Sequence, residues 1–125
     1  MATQNIDFSG KVVLVTGGTK GVGAGIAQSF LAAGARVLVC GRNAPETLPE
    51  ADGRQAEFLT ADVRDADSLA TLFAVIEERC GRLDVLVNNA GGSPHVLAGE
   101  ASPRFHEGII RLNLIAPLNV AQHAN

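Results

Sequence analysis

The sequence TGGTKGVG at positions 16–23 joins a short hydrophobic segment to a helical one, and the rest of the chain repeats that alternation. The preceding segment, KVVLVT at 11–16, is apolar and β-branched, as expected for a strand buried on both faces. After the turn, an apolar stripe with helical spacing runs through Val22, Ile26, Phe30 and Ala33. Gly34 is a suitable helix end. The start of the chain is therefore predicted to form a strand–turn–helix unit.

Three further strands are predicted, at 36–40, 57–61 and 83–88. The segment 43–53 is rich in Pro, Gly and acids and is predicted to be a loop with room for one helical turn. A helix is predicted from Asp65, a good N-cap, to Gly81, and a final helix over about 103–125. Strands and helices alternating at this spacing imply right-handed crossovers. The predicted fold class is α/β: one domain over 1–125, a doubly wound parallel sheet with strand order 3-2-1-4 and flanking helices.

This strand order leaves the last strand at an edge of the sheet. Its run VLV at 85–87 is apolar and has no charge to discourage pairing with another chain. We therefore predict that the four-stranded sheet is incomplete and that a further strand belongs beside it.

Composition excludes several classes of function. The net charge of −3 is scattered along the 125 residues, so no basic stripe is available for nucleic acid. The chain has no long apolar run and no signal segment in its first nine residues, which predicts a cytoplasmic protein without membrane association. Cys40 and Cys80 lie in or beside apolar runs and are predicted to be reduced, buried thiols. His95, His106 and His123 share no helical or strand face, so no metal site is predicted.

The glycine-rich turn has the composition of a phosphate-binding loop. Its glycines would let the backbone approach a pyrophosphate, whose charge would meet the free N–H groups and positive dipole of the following helix. A hydroxyl donor would come from Thr19. Predicted cofactor-binding residues in the turn are Gly17, Thr19, Lys20, Gly21, Val22 and Gly23. The spacing is not Gly-x-Gly-x-x-Gly, and the alternative is that the glycines only allow close helix packing.

The residues after the second strand favour NADP(H) over NAD(H). Cofactor-binding domains usually have a carboxylate at the end of the second strand, about 20 residues beyond the glycine turn, that binds both ribose hydroxyls. In this sequence that position is occupied by Gly41. The adjacent Arg42 is predicted to pair with a 2′-phosphate, and Lys20 would reach the same group. The alternative is that both cations are simply solvated surface charges.

Three motifs together resemble the short-chain dehydrogenase/reductase family. They are Thr-Gly-x-x-x-Gly-x-Gly at 16–23, Asp62-Val63 after the third strand, and Asn-Asn-Ala-Gly at 88–91 after the fourth. The resemblance covers essentially the whole chain. It implies a Rossmann-type fold and an oxidoreductase that moves a hydride between a nicotinamide and a carbonyl or alcohol carbon of a small molecule. It also implies a homodimer or homotetramer built partly on the last helix.

The resemblance assigns the adenosine end of the site. Asp62 would accept a hydrogen bond from the adenine amino group, and Val63 would offer its backbone beside the same ring. The segment from Asn88 to Gly91 would steady the central strands and line the adenosine side of the cofactor, with Asn89, Ala90 and Gly91 as predicted cofactor-binding residues. Asp62 is alternatively a turn or capping residue, although Asp65 is already available for the cap. Asn88 is alternatively only a turn former.

Asn113 is the catalytic residue that the resemblance implies within this chain. It lies 25 positions after Asn88, where the family places an asparagine that holds a water in a proton relay with a lysine. Pro117 has no N–H, so the carbonyl of Asn113 loses its usual helical partner and is free to hold that water. The alternative is a proline tolerated at a solvent-facing bend.

The remaining residues of the family's reacting centre are a serine and a Tyr-x-x-x-Lys motif. This sequence contains no tyrosine, so the resemblance implies that they lie beyond Asn125 and that the 125-residue chain is inactive by itself. Ser93 and His95 follow the fourth strand and cannot replace the tyrosine. Two alternatives to an enzyme stay open, a nucleotide-binding module without catalysis and a truncated product that does not fold stably. The substrate is not identified.

Overall fold

The computed structural model describes residues 7–91 and, after them, 102–104, 107, 117, 118, 120 and 121. Its elements in chain order are β1 (Val12–Thr16), α1 (Gly21–Ala32), β2 (Arg36–Gly41), β3 (Glu50–Ala51), β4 (Arg54–Gln55), β5 (Glu57–Thr60), α2 (Ala66–Cys80) and β6 (Val85–Asn88). Both helices and the four long strands lie where the hydrophobic periodicity predicts them.

Four strands form one parallel sheet in the order β5-β2-β1-β6. This confirms the predicted order 3-2-1-4, because β5 and β6 are the third and fourth of the predicted strands. Thr16 at the end of β1 is level with Cys40 of β2 on one side and with Asn88 of β6 on the other. The carboxyl ends of the central strands therefore meet at one edge of the sheet.

The sheet separates two hydrophobic clusters, because successive side chains of each strand face opposite sides. One cluster packs beneath α2 and includes Leu14, Leu38, Leu59, Leu69, Leu72 and Ile76. The other packs beneath α1 and includes Val13, Val15, Val37, Val39, Ala27 and Leu31. All five residues of β1 are buried, as expected for a strand covered on both faces.

The buried face of α1 differs from the predicted stripe. Gly23, Ala27 and Leu31 are the buried positions, whereas Val22 is 75% exposed. Ile26 and Phe30 are half-buried at the margin of the cluster. The buried face begins at Gly23, where a Cβ would overlap the carbonyl of Gly17 and the side chain of Asn89. The prediction that Val22 belongs to the buried stripe is therefore wrong.

The segment predicted as a loop contains a small antiparallel hairpin, formed by β3 and β4. Asp52 and Gly53 connect the two strands and both have positive φ, at 54° and 76°. Asp-Gly is a favoured sequence for a two-residue hairpin turn, because aspartate and glycine tolerate that backbone conformation. The prediction of a loop with a helical turn is wrong at this place.

The helix α2 has the two predicted ends. The Asp65 carboxylate accepts a hydrogen bond of 3.1 Å from the backbone N–H of Asp67, and Gly81 ends the helix with a φ of 70°. Cys80 in the last turn is half-exposed, so the prediction that it is buried is wrong, whereas Cys40 is buried as predicted. The arginine and acidic side chains of α2 face away from the sheet, and the apolar side chains pack on it.

The strand β6 lies at an edge of the sheet, as predicted, and its apolar side chains are half-buried. Of the predicted final helix, the described residues from 103 on are helical, and the rest of that segment lies outside the described residues. Val120 is fully buried in the cluster beneath α2, whereas Leu118 is 65% exposed. Within the described part of the chain, no helix is long and apolar enough to cross a membrane.

Candidate functional site

The candidate site lies at the carboxyl ends of the parallel strands, where ligands bind in open α/β sheets. The glycine turn follows β1, Arg42 follows β2, Asp62 follows β5, and the segment at 89–91 follows β6. The structure thus brings together residues that are far apart in the sequence.

Two glycines of the turn have backbone conformations that other residues rarely adopt. Gly17 and Gly21 have φ values of 65° and 58°. Gly23 is needed for another reason: a Cβ there would overlap the carbonyl of Gly17 and the side-chain amide of Asn89. Close packing therefore accounts for Gly23. Gly21 faces open space at the start of α1, where only its backbone conformation requires glycine.

The start of α1 is an uncapped helix end. Lys20 is the N-cap residue, makes no side-chain capping hydrogen bond, and is followed by no acidic residue in the first turn. By contrast, α2 is capped by Asp65. The first N–H groups of a helix have no partner within the helix, and together with the helix dipole they favour an anion. The exposed Val22 lies in this first turn.

Thr16 joins the glycine turn to the end of β6, and sequence reasoning missed it as a site residue. Its buried Oγ1 accepts hydrogen bonds from the backbone N–H groups of Asn89 and Ala90, each at 3.0 Å, and donates to the carbonyl of Val87 at 3.4 Å. The Asn89 side chain donates in return to the carbonyl of Gly17 at 3.2 Å. A hydroxyl at the end of an otherwise apolar strand is the signal that could have revealed this role.

A cleft of about 570 Å³ opens beside these groups, within the range of about 300–1,000 Å³ that is usual for small-molecule sites. Its lining consists of Gly17, Thr19, Lys20, Gly41, Arg42, Asn43, Pro45, Asn89, Ala90 and Gly91. Most of the predicted cofactor-binding residues therefore face one cavity.

Lys20 and Arg42 are both exposed on this cleft. Neither forms an ion pair within the described part of the chain. A Cβ on the neighbouring Gly41 would make only ordinary contacts, 3.8 Å from Phe58 and 3.9 Å from Thr19. Steric fit therefore does not explain this glycine, since a Cβ would have room at position 41. Its presence leaves this end of the cleft positively charged.

A second cleft adjoins the first and reaches the end of β5. Its walls include Asp62, Val63 and Arg64, and it shares Arg42 with the larger cleft. The Arg64 guanidinium donates to both carboxylate oxygens of Asp62, at 3.0 and 3.1 Å, and holds the pKa of that carboxyl below its usual range. Asp62 also accepts the backbone N–H of Arg64, which is a turn interaction. Val63 is buried.

Asn88 links β6 to the segment that carries the predicted catalytic residue. Its side-chain amide donates to the carbonyl of Pro117 at 3.0 Å. Asn113 itself lies outside the described residues, and so do Ser93 and His95. Among the residues that are described, no cluster of His, Cys, Asp and Glu side chains could hold a metal ion.

Comparison with known proteins identifies relatives over nearly the whole chain. The family model described as short chain dehydrogenase matches residues 11–125. The L-fucose dehydrogenase of Bos taurus is 37% identical over 125 positions, covering 94% of this chain and 44% of that protein. A short chain dehydrogenase from Bacillus anthracis superposes with a TM-score of 0.82 at 34% identity, covering 90% of this chain and 49% of its own.

A third match is the RhlG/NADP active-site complex of Pseudomonas aeruginosa. It has a TM-score of 0.81 at 28% identity and covers 98% of this chain and 50% of its own. The chain thus spans about half the length of the proteins it matches.

Proposed function

The chain belongs to the short chain dehydrogenase family, and from that premise we propose that it binds NADP(H) and serves an oxidoreductase. The bound nicotinamide would supply or accept the hydride that is exchanged with a carbonyl or alcohol carbon of a small molecule. The chain's own residues hold and orient this cofactor. The dimer or tetramer implied by the family resemblance stays a prediction for the complete protein.

The pair of cations on the larger cleft carries the proposal for NADP(H). Lys20 and Arg42 both line the larger cleft and would be the partners of a 2′-phosphate, whereas Gly41 lacks the carboxylate that would bind the ribose of NAD(H). The Pseudomonas aeruginosa relative forms a complex with NADP, which supports the same preference. The uncapped start of α1 would receive the pyrophosphate beside Gly17, with Thr19 as a further donor.

We also propose the other predicted roles. Asp62 would accept a hydrogen bond from the adenine amino group. Three further residues would line the cleft beside the bound cofactor, Asn89, Ala90 and Gly91. Asn113 would hold the relay water through its free backbone carbonyl. The hydrogen bond from Asn88 to Pro117 supports this last role, because it ties the residue four positions after Asn113 in the sequence to the end of β6.

Titration of the chain with NADPH and NADH tests the cofactor proposal. A charged hydrogen bond to a phosphate is worth about 1.5–3 kcal/mol, so Arg42→Ala is expected to weaken NADPH binding about ten-fold or more and to leave NADH binding unchanged. Arg54→Ala is the matched control, since Arg54 is an exposed arginine on the hairpin. Gly41→Asp is expected to shift the preference towards NADH. Absence of NADPH binding at millimolar concentration would refute the proposal.

A dinucleotide-binding role without turnover is the second candidate. It is favoured by the larger cleft, because most of the residues that line it are predicted to bind the cofactor. Oxidation of NADPH in the presence of a panel of small carbonyl compounds separates the candidates when it is measured on the complete protein, because the 125-residue chain is itself predicted to be inactive. Turnover would support the enzyme, whereas cofactor binding without turnover would support the binding module.

A further inference from the structure

Asp62 and Arg64 form a paired wall of the smaller cleft. Arg64 donates from Nε to Oδ1 at 3.0 Å and from its terminal nitrogen to Oδ2 at 3.1 Å. The side chains are about one-third exposed, at 33% for Arg64 and 34% for Asp62. Both groups therefore remain accessible to a molecule bound in the cleft.

The hydrogen bonds leave few acceptor positions on the carboxylate. Each carboxylate oxygen has about two lone-pair positions. Oδ1 uses both, because it accepts the backbone N–H of Arg64 at 3.0 Å as well as the Nε donor. Oδ2 accepts one protein donor and has one position left. The pairing also lowers the pKa of Asp62, so the group is an ionised acceptor without a proton to donate.

The backbone of Asp62 is held as well. Its N–H donates to the hydroxyl of Ser68 at 2.9 Å, and its carbonyl accepts from the N–H of Asp65 at 3.0 Å. The carboxylate is therefore fixed at both ends, by the backbone on one side and by the guanidinium on the other. A group held in this way recognises a partner without losing further conformational freedom.

We propose that Arg64 is a positioning residue for base recognition, which limits Asp62 to one open acceptor position at the cleft wall. This inference rests on the proposed cofactor function. A purine with an exocyclic amino group at C6 would fill that position with a hydrogen bond. Hypoxanthine has an oxygen there, which would leave two acceptors facing each other, so the base would be rejected. Hypoxanthine also carries a donor, the N1–H, which Asp62 could accept at the positions that become free without Arg64. By occupying those positions, Arg64 would sharpen the preference for adenine over hypoxanthine.

Loss of the ion pair alone would affect folding little, because exposed pairs contribute little to stability. Base discrimination is therefore a readout that a merely structural role would not change. Arg82 offers a matched control, because it also donates from Nε and from a terminal nitrogen to an aspartate two positions away, Asp84. This pair precedes β6 and therefore lies at the opposite end of the sheet from the clefts.

The experiment measures dissociation constants for NADPH and for its hypoxanthine analogue with the full 125-residue chain. The chain has no tryptophan or tyrosine, so cofactor fluorescence is observed against a low background. We expect a preference for NADPH of about ten-fold or more in the unaltered chain and in Arg82→Ala. In Arg64→Ala the preference should fall to about three-fold or less, with little change in the thermal unfolding midpoint. Asp62→Asn should abolish it, because an amide donates as well as accepts.

An unchanged preference in Arg64→Ala, or tighter NADPH binding by that variant, would overturn the inference while leaving the cofactor proposal intact. An unchanged preference in Asp62→Asn would also overturn it. Failure of the unaltered chain to bind NADPH would instead refute the proposed function on which the inference rests.

Discussion

Replacing Thr16 by valine removes one buried hydroxyl while keeping the shape of the side chain. That oxygen accepts the N–H groups of Asn89 and Ala90. The Asn89 N–H keeps a second acceptor, the Val87 carbonyl at 3.1 Å. The Ala90 N–H is therefore the donor that loses its hydrogen-bond acceptor in the variant. A buried donor left without a partner costs about 1–3 kcal/mol, and Ala90 is only half-buried. The free energy of unfolding is therefore expected to fall by about 2 kcal/mol, including the weaker hold on Asn89.

Denaturant unfolding measures this change, and a thermal melt should show a Tm lower by roughly 8 °C. Thr60→Val is the matched control, since Thr60 is an exposed threonine in β5. It should alter the free energy of unfolding by less than about 0.5 kcal/mol. The Thr16 variant should also bind NADPH more weakly, because the glycine turn loses its tie to β6.

A loss of stability below about 0.5 kcal/mol in Thr16→Val would refute this reasoning. It would mean that water replaces the hydroxyl at no cost, and that the strand ends are held by the backbone pairing of β1 and β6 alone. Unfolding without a cooperative transition in the unaltered chain would favour the alternative of an unstable product.

Three other perturbations follow from the structure. Gly23→Ala should destabilise the fold by about 1–3 kcal/mol and weaken NADPH binding, because the new methyl group would overlap the Gly17 carbonyl. The Arg36 side chain lowers the pKa of Glu57, so the ion pair contributes its full stability at pH values above the ordinary glutamate pKa of 4.5. Denaturant unfolding at a series of acid pH values should show this contribution disappearing as the pH falls through the lowered pKa. Burial raises the pKa of the Cys40 thiol to about 11, so at about pH 8 it should react with a thiol reagent only after unfolding.

Each of these has a control within the chain. Gly25→Ala should be neutral or stabilising, because a Cβ there meets open space on the same helix. Glu57→Gln should make the loss of stability at acid pH less steep, because the ion pair with Arg36 is then absent at every pH. Cys80 is half-exposed and should react in the folded chain; equal protection of both thiols, or rapid labelling of Cys40, would contradict the expectation.

The order of the main helices and strands was predictable from the sequence because hydrophobic periodicity and end signals are local. The cap at Asp65 and the left-handed glycine at Gly81 mark both ends of α2, and both have their predicted roles. The strand order follows from the short distances between alternating elements and from the handedness of crossovers. The hairpin was missed because its strands are only two residues long, although its Asp-Gly turn was visible.

The sequence pattern did not predict which face of α1 is buried. Periodicity favoured the larger apolar residues, Val22 and Ile26, as the buried face. The structure buries Gly23, Ala27 and Leu31 instead, and at Gly23 the close approach of the Gly17 carbonyl and the Asn89 side chain leaves no room for a Cβ. Hydrophobicity thus identified the helix, whereas steric fit against neighbouring elements chose its buried face.

For the candidate site, the sequence alone was sufficient to locate the glycine turn, Arg42 and Asp62 at the ends of strands, because backbone freedom, charge and strand position are readable in one dimension. The contacts that couple these residues required the folded chain. Thr16 meets Asn89 across 73 positions, and Arg64 takes up most of the acceptor positions of Asp62 within one turn. Hydrogen-bond partners depend on distances of about 3 Å and on direction. Residue type and spacing specify neither, because both are set only when folding brings the strands side by side.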